Sequence, residues 1–253
     1  MDRAIYTAMV AARQTLEMQA VNANNLANAA SNGYRAQLSA MRAVPVDGPG
    51  LLTRATSVVS TPGFDNTPGP VQNTQRPLDV ALQQDGYLAV QLPDGSEAYT
   101  RNGSIQLSEA GQLRVQGYPL LSDSGPIDIP PNSTVTIAAD GTISALSPTD
   151  PPNTIAPIGR LKLVKADQSH LLRGDDGLFR VSAAGKRALN TGDLLPADPT
   201  VRLIPGMLEG SNVNSVTAMV EMINNSRRFE MQMKVIRSVD ESDKVANHLL
   251  AMN

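Results

Sequence analysis

The 253-residue sequence contains no cysteine and no tryptophan, and aromatic residues make up only 3% of it. A chain without cysteine forms no disulfide, presents no thiol nucleophile and cannot bind zinc through thiolates. Its two histidines, His170 and His248, are too few for a three-histidine metal site. So few aromatic rings also argue against a nucleic-acid stacking platform. The composition therefore predicts a structural protein that needs no metal or cofactor.

Neither charge nor hydropathy points to nucleic acid or to membrane insertion. The 21 basic and 24 acidic residues give a formal net charge of −3, which provides no basic field for nucleic acid. No segment approaches the ~20 apolar residues that cross a bilayer. The N-terminus carries Asp2 before any continuous apolar core, which makes it a poor secretory signal. We therefore expect a soluble chain, or one that leaves the cytoplasm without a cleaved signal peptide.

Residues 3–28 have the periodicity of an amphipathic helix. Apolar or small residues recur at steps of three and four, which predicts one buried stripe. The stripe consists of Ile5, Met9, Ala12, Leu16, Ala20, Ala23 and Ala27. The pair Asn32-Gly33 follows it, and this pair favours a left-handed helix end or a turn.

The middle of the chain changes character twice. Residues 43–75 are rich in proline, glycine and threonine, so they are predicted to form an extended linker or irregular loop. Residues 76–206 alternate with a period of two and contain turn signals at Pro93-Asp94-Gly95-Ser96 and Asp140-Gly141. One predicted strand runs from Arg160 to Val164. These short strands predict a central antiparallel β-domain, a sandwich or a barrel.

Helical periodicity returns at Val213 and continues to about residue 252. Ser211-Asn212 supplies the candidate N-cap. The predicted apolar stripe contains Met219, Met222, Phe229, Met233 and Ile236. A helix of this length extends about 60 Å, which suits coiled-coil packing or a long assembly element better than an ordinary globular domain.

These patterns together predict an α+β fold. Long helices within residues 1–42 and 207–253 pair as a coiled-coil-like inner domain, residues 43–75 link it to the rest, and residues 76–206 form a β-rich outer domain. A lone helix pair cannot bury every apolar stripe, so both helices are expected to expose a second seam to neighbouring subunits. Head-to-tail contacts of this kind build an open helical rod.

Three motifs resemble signatures of the bacterial flagellar rod and hook proteins. The N-terminal motif runs from Ala23-Asn24-Asn25-Leu26-Ala27-Asn28 to Asn32-Gly33-Tyr34-Arg35. The central motif comprises residues 76–82 and 85–87 together with Ala98-Tyr99-Thr100-Arg101-Asn102-Gly103-Ser104. The C-terminal motif is Leu208-Glu209-Gly210-Ser211-Asn212-Val213, continued by residues 219–223 and 228–231. The resemblance covers nearly the whole chain, with the motifs in the family order.

This resemblance implies a structural subunit of the flagellar basal-body rod. The hook protein is considerably longer, and the first nine residues and residues 227–234 are most similar to the proximal rod member; the distal rod member is the alternative. Members of the family are exported unfolded by the flagellar type III apparatus without a cleaved signal. They assemble in the periplasm, with terminal helices around the axial export channel, and carry motor torque toward the hook. The implied partners are other rod proteins and further copies of this chain.

The candidate site residues are positions for subunit contacts rather than for chemistry. Asn24, Asn25 and Asn28 are hypothesised to bond neighbouring subunits and fix axial register, as a polar residue does in a coiled-coil seam; the alternative is that they cap and turn their own chain. The full set of interface candidates is Asn24, Asn25, Leu26, Asn28, Met219, Met222, Ile223, Arg227, Arg228, Phe229, Glu230, Met233 and Ile236.

Two other classes of protein stay open at this point. A wall-acting or carbohydrate-acting enzyme would need two positioned carboxylates in a cleft, and no such constellation stands out. A secreted adhesin or binding module with coiled-coil ends would fold fully as a monomer. His170 and the following Arg173-Gly174-Asp175-Asp176-Gly177 resemble a catalytic or metal loop, but turn formation explains these residue types. No catalytic residue, metal or cofactor is therefore predicted.

Overall fold

A computed structural model describes residues 2–45, 55–123, 125–131, 133–146, 156–174, 176–189 and 192–251. The helices in these ranges are α1 Asp2–Ala27, α2 Ala183–Leu189 and α3 Ser215–Ala251, with a 3-10 helix at Gln168–His170. The strands are β1 Gln37–Pro45, β2 Ala55–Phe64, β3 Val71–Asn73, β4 Val80–Leu82, β5 Gly86–Gln91, β6 Glu97–Thr100, β7 Gln106–Leu107, β8 Leu113–Val115, β9 Tyr118–Pro119, β10 Leu121–Ser122, β11 Gly125–Pro126, β12 Thr134–Ile137, β13 Thr142–Leu146, β14 Ala156–Arg160, β15 Leu163–Lys165, β16 Leu171–Arg173, β17 Phe179–Val181, β18 Leu203–Pro205 and β19 Met207–Glu209.

The chain divides into two compact units. Unit 1 comprises residues 1–29, 37–62 and 213–253, and unit 2 comprises residues 30–36 and 63–212. Unit 1 therefore holds both long helices, and unit 2 holds most of the strands. The predicted α+β class is confirmed.

In unit 1, α1 packs beside α3. The Gln232 side-chain amide donates to the hydroxyl oxygen of Thr15 at 3.1 Å, which joins the middle of one helix to the middle of the other. The buried positions of α1 recur mostly at helical spacing and are Ala8, Ala12, Gln14, Thr15, Met18, Asn22 and Asn25.

The predicted stripe on α1 is wrong by about one residue. Met9 and Leu16 remain 54% and 53% exposed, and of the seven predicted stripe positions only Ala12 is fully buried. Because each residue turns the helix by about 100°, the buried face lies roughly one position away from the predicted one. Small residues such as Ala8, together with partnered polar ones such as Asn25, occupy the inner face. Met9 and Leu16 therefore face outward, whereas Met18 is the long apolar side chain on the inner face.

The buried side of α3 matches its predicted stripe more closely. Met222, Phe229, Met233 and Ile236 are half-buried, whereas Met219, the remaining member of the stripe, is 51% exposed. The predicted N-cap is wrong. Asn214 caps the helix, since its side-chain oxygen accepts the Thr217 amide at 3.0 Å and its carbonyl accepts the Ala218 amide.

The prediction of a linker at residues 43–75 is wrong where the chain forms strands. β1 and β2 pair with each other as a two-stranded sheet, and β3 pairs with β19. Both strands of a two-stranded sheet are edges, where proline is tolerated because one side of the backbone has no ladder partner. Pro45 and Pro62 therefore do not prevent pairing. Residues 46–54 lie outside the described residues.

Unit 2 is built from antiparallel sheets around a continuous apolar core. The largest has the order β15-β5-β6-β17-β16, and a second has the order β12-β13-β14. The core contains Leu88, Val90, Ile105, Leu113 and Ile143, each at most 1% exposed. A second cluster around Phe64, Tyr87, Tyr99 and Phe179 places aromatic rings 4.7 to 5.3 Å apart. Four of the chain's eight aromatic residues are thus concentrated in one place.

Both predicted turns are confirmed, and one predicted strand is divided. Gly95 and Gly141 adopt left-handed φ values of 82° and 85° at the turns. The predicted strand from Arg160 to Val164 is split, because β14 ends at Arg160 and β15 begins at Leu163 in a different sheet. The Leu161 amide donates to Gly141 and the Lys162 amide to Leu121, so these bonds carry the chain from one sheet to the next.

Candidate functional site

The N-terminal asparagines make contacts within their own chain. The Asn25 side chain is buried, donates to the Gln37 carbonyl at 3.0 Å and accepts the Gln37 amide at 2.8 Å. The Asn28 side chain donates to the Asn24 carbonyl at 2.9 Å. Asn24 is exposed and Leu26 is half-buried. In this structure, Asn25 and Asn28 form hydrogen bonds that cap and turn their own chain. These contacts agree with the alternative to bonding between subunits.

The C-terminal candidates separate into an inner and an outer group. Met222, Phe229, Met233 and Ile236 are half-buried. Met219, Ile223, Arg227, Arg228 and Glu230 are exposed. The inner group supports the fold of unit 1, and the outer group is available to another molecule.

A shallow groove runs between α1 and α3. It encloses about 200 Å³ and is lined by Thr15, Leu16, Gln19, Asn225, Ser226 and Phe229. Sequence reasoning placed Leu16 in the helix core, but its side chain forms one wall of this open groove. The Oε1 atom of Gln19 is buried without a hydrogen-bond partner among the described residues.

A second apolar face on α3, which we call the outer ridge, corresponds to the second seam that the sequence predicted, although Ile223 is the one ridge residue that was among the interface candidates. It consists of Val216, Val220, Ile223, Met231, Val235 and Val245, each more than half exposed. These positions recur mostly at steps of three and four, so they share one side of the helix. That side is opposite to the one formed by Ala218, Met222 and Asn225. The same periodicity that revealed the inner stripe could have revealed this one.

Unit 2 contains a buried cluster of charged residues, which we call the arginine–glutamate cluster. Glu209 accepts from Arg35 Nη2 at 2.7 Å, and from Arg101 Nη2 and Nε at 2.7 and 3.0 Å. The three side chains are only 1 to 2% exposed. Arg101 also donates to the carbonyls of Gln84 and Gly86, both at 2.8 Å.

The electrostatics of this cluster follow from burial. Burial and the neighbouring Arg101 guanidinium lower the pKa of Arg35, while Glu209 opposes that shift. Burial raises the pKa of Tyr87 to about 12, and Arg101 lies 5.6 Å from the centre of its ring. The Tyr87 hydroxyl has no hydrogen-bond partner among the described residues. The cluster therefore holds two cations and one anion away from water.

Neighbouring backbone contacts bring the recognised motifs together. Gly33 has a left-handed φ of 67°, and a Cβ there would lie 2.4 Å from the Arg101 carbonyl carbon. The Gly33 amide donates to the Glu209 carbonyl at 2.7 Å. The Asn212 side chain accepts the Ala36 amide at 2.7 Å. The three sequence motifs thus meet at one corner of unit 2, although sequence reasoning assigned no role to Arg35, Arg101 or Glu209.

Metal-ligating side chains are scattered over the described part of the chain. Among these residues, no group of three or more histidine, cysteine, aspartate or glutamate side chains is arranged to hold a metal ion. His170 lies in the 3-10 helix that Asp167 caps by accepting the Ser169 amide at 2.9 Å. Asp175 lies outside the described residues. No described helix has the length and apolar character required to cross a membrane.

Comparison with known proteins places this chain among the flagellar basal-body rod and hook proteins. A family model described as flagellar basal body rod FlgEFG protein C-terminal matches residues 204–249, and one described as the flagellar hook protein FlgE/F/G D1 domain matches residues 81–145. The first range contains Glu209 and the second contains Arg101. The matches therefore include two members of the arginine–glutamate cluster.

Individual relatives narrow the assignment. The chain is 61% identical to the flagellar basal-body rod protein FlgF of Salmonella typhimurium strain LT2 and 62% identical to that of Escherichia coli K12, in both cases over the full length of both chains. It is 32% identical to the rod protein FlgG of Buchnera aphidicola subsp. Acyrthosiphon pisum, over 89% of this chain and 93% of the relative. The chain belongs to the FlgF family of flagellar basal-body rod proteins. The predictions of a rod protein and of a non-enzymatic role are confirmed by this membership.

Proposed function

We propose that the chain is a subunit of the proximal rod and assembles through α1 and α3 with other rod proteins and with copies of itself. The observation that carries this proposal is the outer ridge of α3. It is an apolar face opposite to the side of the helix that holds the half-buried stripe. Exposing an apolar stripe of this length to water is energetically unfavourable, and an apolar stripe on a surface helix is typical of a protein–protein interface.

The outward-facing candidates are the strongest interface positions. Ile223 is a ridge residue, and Met219 is exposed one turn before it on the helix. Arg227 and Glu230 follow on the exposed surface and set the charge that a neighbour must match. Asn25 and Asn28 contribute indirectly, because they hold the end of α1 and the start of β1 in place.

The role in the rod follows from assembly of this kind. Coiled-coil-like packing of the terminal helices forms an inner domain around the axial export channel, and the β-rich residues 76–206 form an outer domain. Torque passes along the rod when each subunit is held by several neighbours. Export through the flagellar type III apparatus without a cleaved signal, and assembly across the periplasm, complete the proposal. Identity to FlgF above that to FlgG supports the proximal over the distal position.

Deletion of the gene tests the position in the rod. Basal bodies purified from the deletion strain are imaged by electron microscopy. Rods that stop near the inner-membrane end, and that a plasmid-borne copy restores, support a proximal subunit. Rods that lack only their outer segment indicate the distal alternative, and complete rods with hooks overturn the rod role in favour of a binding module.

A substitution on the outer ridge tests the interface. Ile223→Asp places a charge on the exposed ridge, so we expect secretion and monomer folding to persist while rod assembly and motility fall sharply. Asn247→Asp adds the same charge at an exposed polar position five turns after Phe229, on the side of α3 away from the ridge, and is expected to retain motility. Equal motility of the two strains would refute the ridge as an interface.

A further inference from the structure

We propose that Glu209 is a closing latch: unit 2 is completed only when the segment before α3 delivers this carboxylate between Arg35 and Arg101. This inference concerns how the fold closes and does not depend on the proposed place in the rod. Glu209 contacts both guanidinium groups at 2.7 Å, and its Oε1 also accepts the Gly69 amide at 3.1 Å. One side chain therefore joins three other parts of unit 2.

Glu209 compensates the buried charge of both arginines, and the two arginines depend on it to different degrees. Without the carboxylate, two guanidinium groups would be buried side by side, and burial of an uncompensated charge is strongly unfavourable. Arg101 has three backbone carbonyl acceptors besides Glu209, at Leu82, Gln84 and Gly86. Arg35 shares Glu209 and the Thr67 carbonyl, and its Nε atom has no hydrogen-bond partner among the described residues. Arg35 is therefore the cation that depends most on Glu209.

The latch is supplied late in the chain. Glu209 follows Arg101 by 108 residues, and it lies next to the final passage of the chain out of unit 2 at residue 212. Contacts between residues so far apart in sequence form slowly, because closing a long loop costs entropy before any contact stabilises it. Until residue 209 arrives, both arginines favour water over the core.

Closing the latch also fixes the ends of unit 2. The chain passes between the units at residues 29/30, 36/37, 62/63 and 212/213. Asn212, three residues after Glu209, bonds the Ala36 amide at 2.7 Å and the Asp65 carbonyl at 2.9 Å. The Asp65 amide in turn donates to the Ala36 carbonyl at 2.8 Å. Segments 33–36, 65–69 and 209–212 therefore form one cooperative group that opens or closes together.

Hydrogen exchange of the full-length chain tests the latch. The reporters are the amides of Gly33, Ala36 and Gly69, each hydrogen-bonded within the cooperative group, and the amide of Gly210, which donates to the Pro70 carbonyl directly after segment 65–69. In Glu209→Gln they are expected to exchange at least about 100-fold faster than in the wild type and with a shared opening free energy. Glu97→Gln is the matched control, since it removes another carboxylate of unit 2 that pairs with Lys162 at 2.8 Å. It should leave the four reporters unchanged.

Removing the charge of Arg35 distinguishes the effect of uncompensated charge on amide exchange from the effect of an altered side-chain shape. Arg35→Gln alone leaves the bidentate Glu209–Arg101 pair, so it should accelerate exchange less than Glu209→Gln. Adding Arg35→Gln to Glu209→Gln should slow the reporters again, because only Arg101 then remains charged. Wild-type exchange in Glu209→Gln, or faster exchange in the double variant than in either single variant, overturns the latch. If Glu209→Gln does not fold, Glu209→Asp is measured instead, since it retains the charge on a shorter side chain. Reporter exchange equal to that of the wild type in Glu209→Asp would also overturn the latch.

Refolding tests the order of closure. Pulse-labelled refolding should protect the Gly69 and Gly33 amides last, after the hairpin amides of Leu92 and Ala138, which pair locally across the turns at Gly95 and Gly141. Early protection of Gly69, before either hairpin, would show that the carboxylate is in place from the start and would overturn a late latch.

Discussion

Asn25 and Gln37 share two hydrogen bonds, one in each direction, between a buried side-chain amide and the backbone of the first strand. The donor–acceptor distances are 3.0 and 2.8 Å. The end of α1 is thereby held against the start of β1, and both residues belong to unit 1. A residue recognised from its motif as a candidate for contacts between subunits thus has a complete role within its own chain.

Asn25→Ala should destabilise unit 1. The substitution leaves the Gln37 amide and carbonyl without their partner, at an expected cost of about 1–3 kcal/mol. Chemical denaturation of the monomer measures the loss. Asn24→Ala, at an exposed neighbouring position, is the control and should change stability by less than about 0.5 kcal/mol. A stable Asn25→Ala monomer that nevertheless fails to assemble would return Asn25 to the subunit interface.

Two buried tyrosines should respond differently to loss of the hydroxyl. The Tyr99 hydroxyl accepts the buried Leu195 amide at 2.7 Å, whereas the Tyr87 hydroxyl has no partner among the described residues. Tyr99→Phe is therefore expected to cost about 1–3 kcal/mol, and Tyr87→Phe to be neutral or stabilising. The thermal unfolding midpoints of both variants measure these stability changes. Equal losses would contradict the assignment of the two hydroxyls.

Gly103→Ala should be among the most damaging substitutions in unit 2. A Cβ at residue 103 would lie 1.6 Å from the Val80 carbonyl oxygen, so the backbone of β4 would have to move. The expected loss exceeds about 4 kcal/mol. Gly159→Ala provides the comparison, because a Cβ there meets no atom within 4 Å. Urea midpoints of the two variants should differ widely, and similar midpoints would contradict the close approach.

Unit 2 should lose stability in acid. Hydrogen bonds from the residues two positions later lower the pKa values of four turn aspartates below the ordinary value of 3.8; these are Asp94, Asp140, Asp167 and Asp198. Because the folded-state pKa values are the lower ones, the stabilisation is complete above the unfolded value and is lost as pH falls through the folded values. Urea midpoints should therefore be level above about pH 5 and decline below about pH 4.

A variant with all four turn aspartates changed to asparagine tests the source of that decline. An asparagine oxygen still accepts the turn hydrogen bonds but carries no charge to be neutralised. The midpoint of this variant should fall less steeply below pH 4 than that of the wild type. An unchanged slope would place the acid sensitivity elsewhere in the chain.

Local sequence signals predicted the elements that depend on local physics. Turn glycines such as Gly95 and Gly141 were identified because left-handed backbone is open to glycine and closed to most other residues. Both long helices were found from their periodicity, and their length from the extent of that periodicity. β1 and β2 were missed because proline and glycine usually interrupt strands, and only the pairing of two edges makes them acceptable.

The rotation of α1 could not be predicted in the same way. Periodicity shows which residues share a face, but burial of Ala8 and Asn25 rather than Met9 and Leu16 depends on what packs there. A small or polar side chain becomes an inner position when a neighbour approaches closely or supplies a hydrogen bond. A second seam on α3 was expected, but apart from Ile223 the residues of the outer ridge were not identified, although their periodicity could have revealed them.

The sequence by itself determined the family, the two long helices and the turns, because these depend on residue types within a few positions of one another. Only the tertiary structure decided which helix faces are buried and what the motif residues do. Arg35, Arg101 and Glu209 stand in three separate motifs, and their shared purpose appears only when folding places one carboxylate 2.7 Å from two guanidinium groups. No local pattern encodes that contact, since its energy arises from bringing distant charges together out of water.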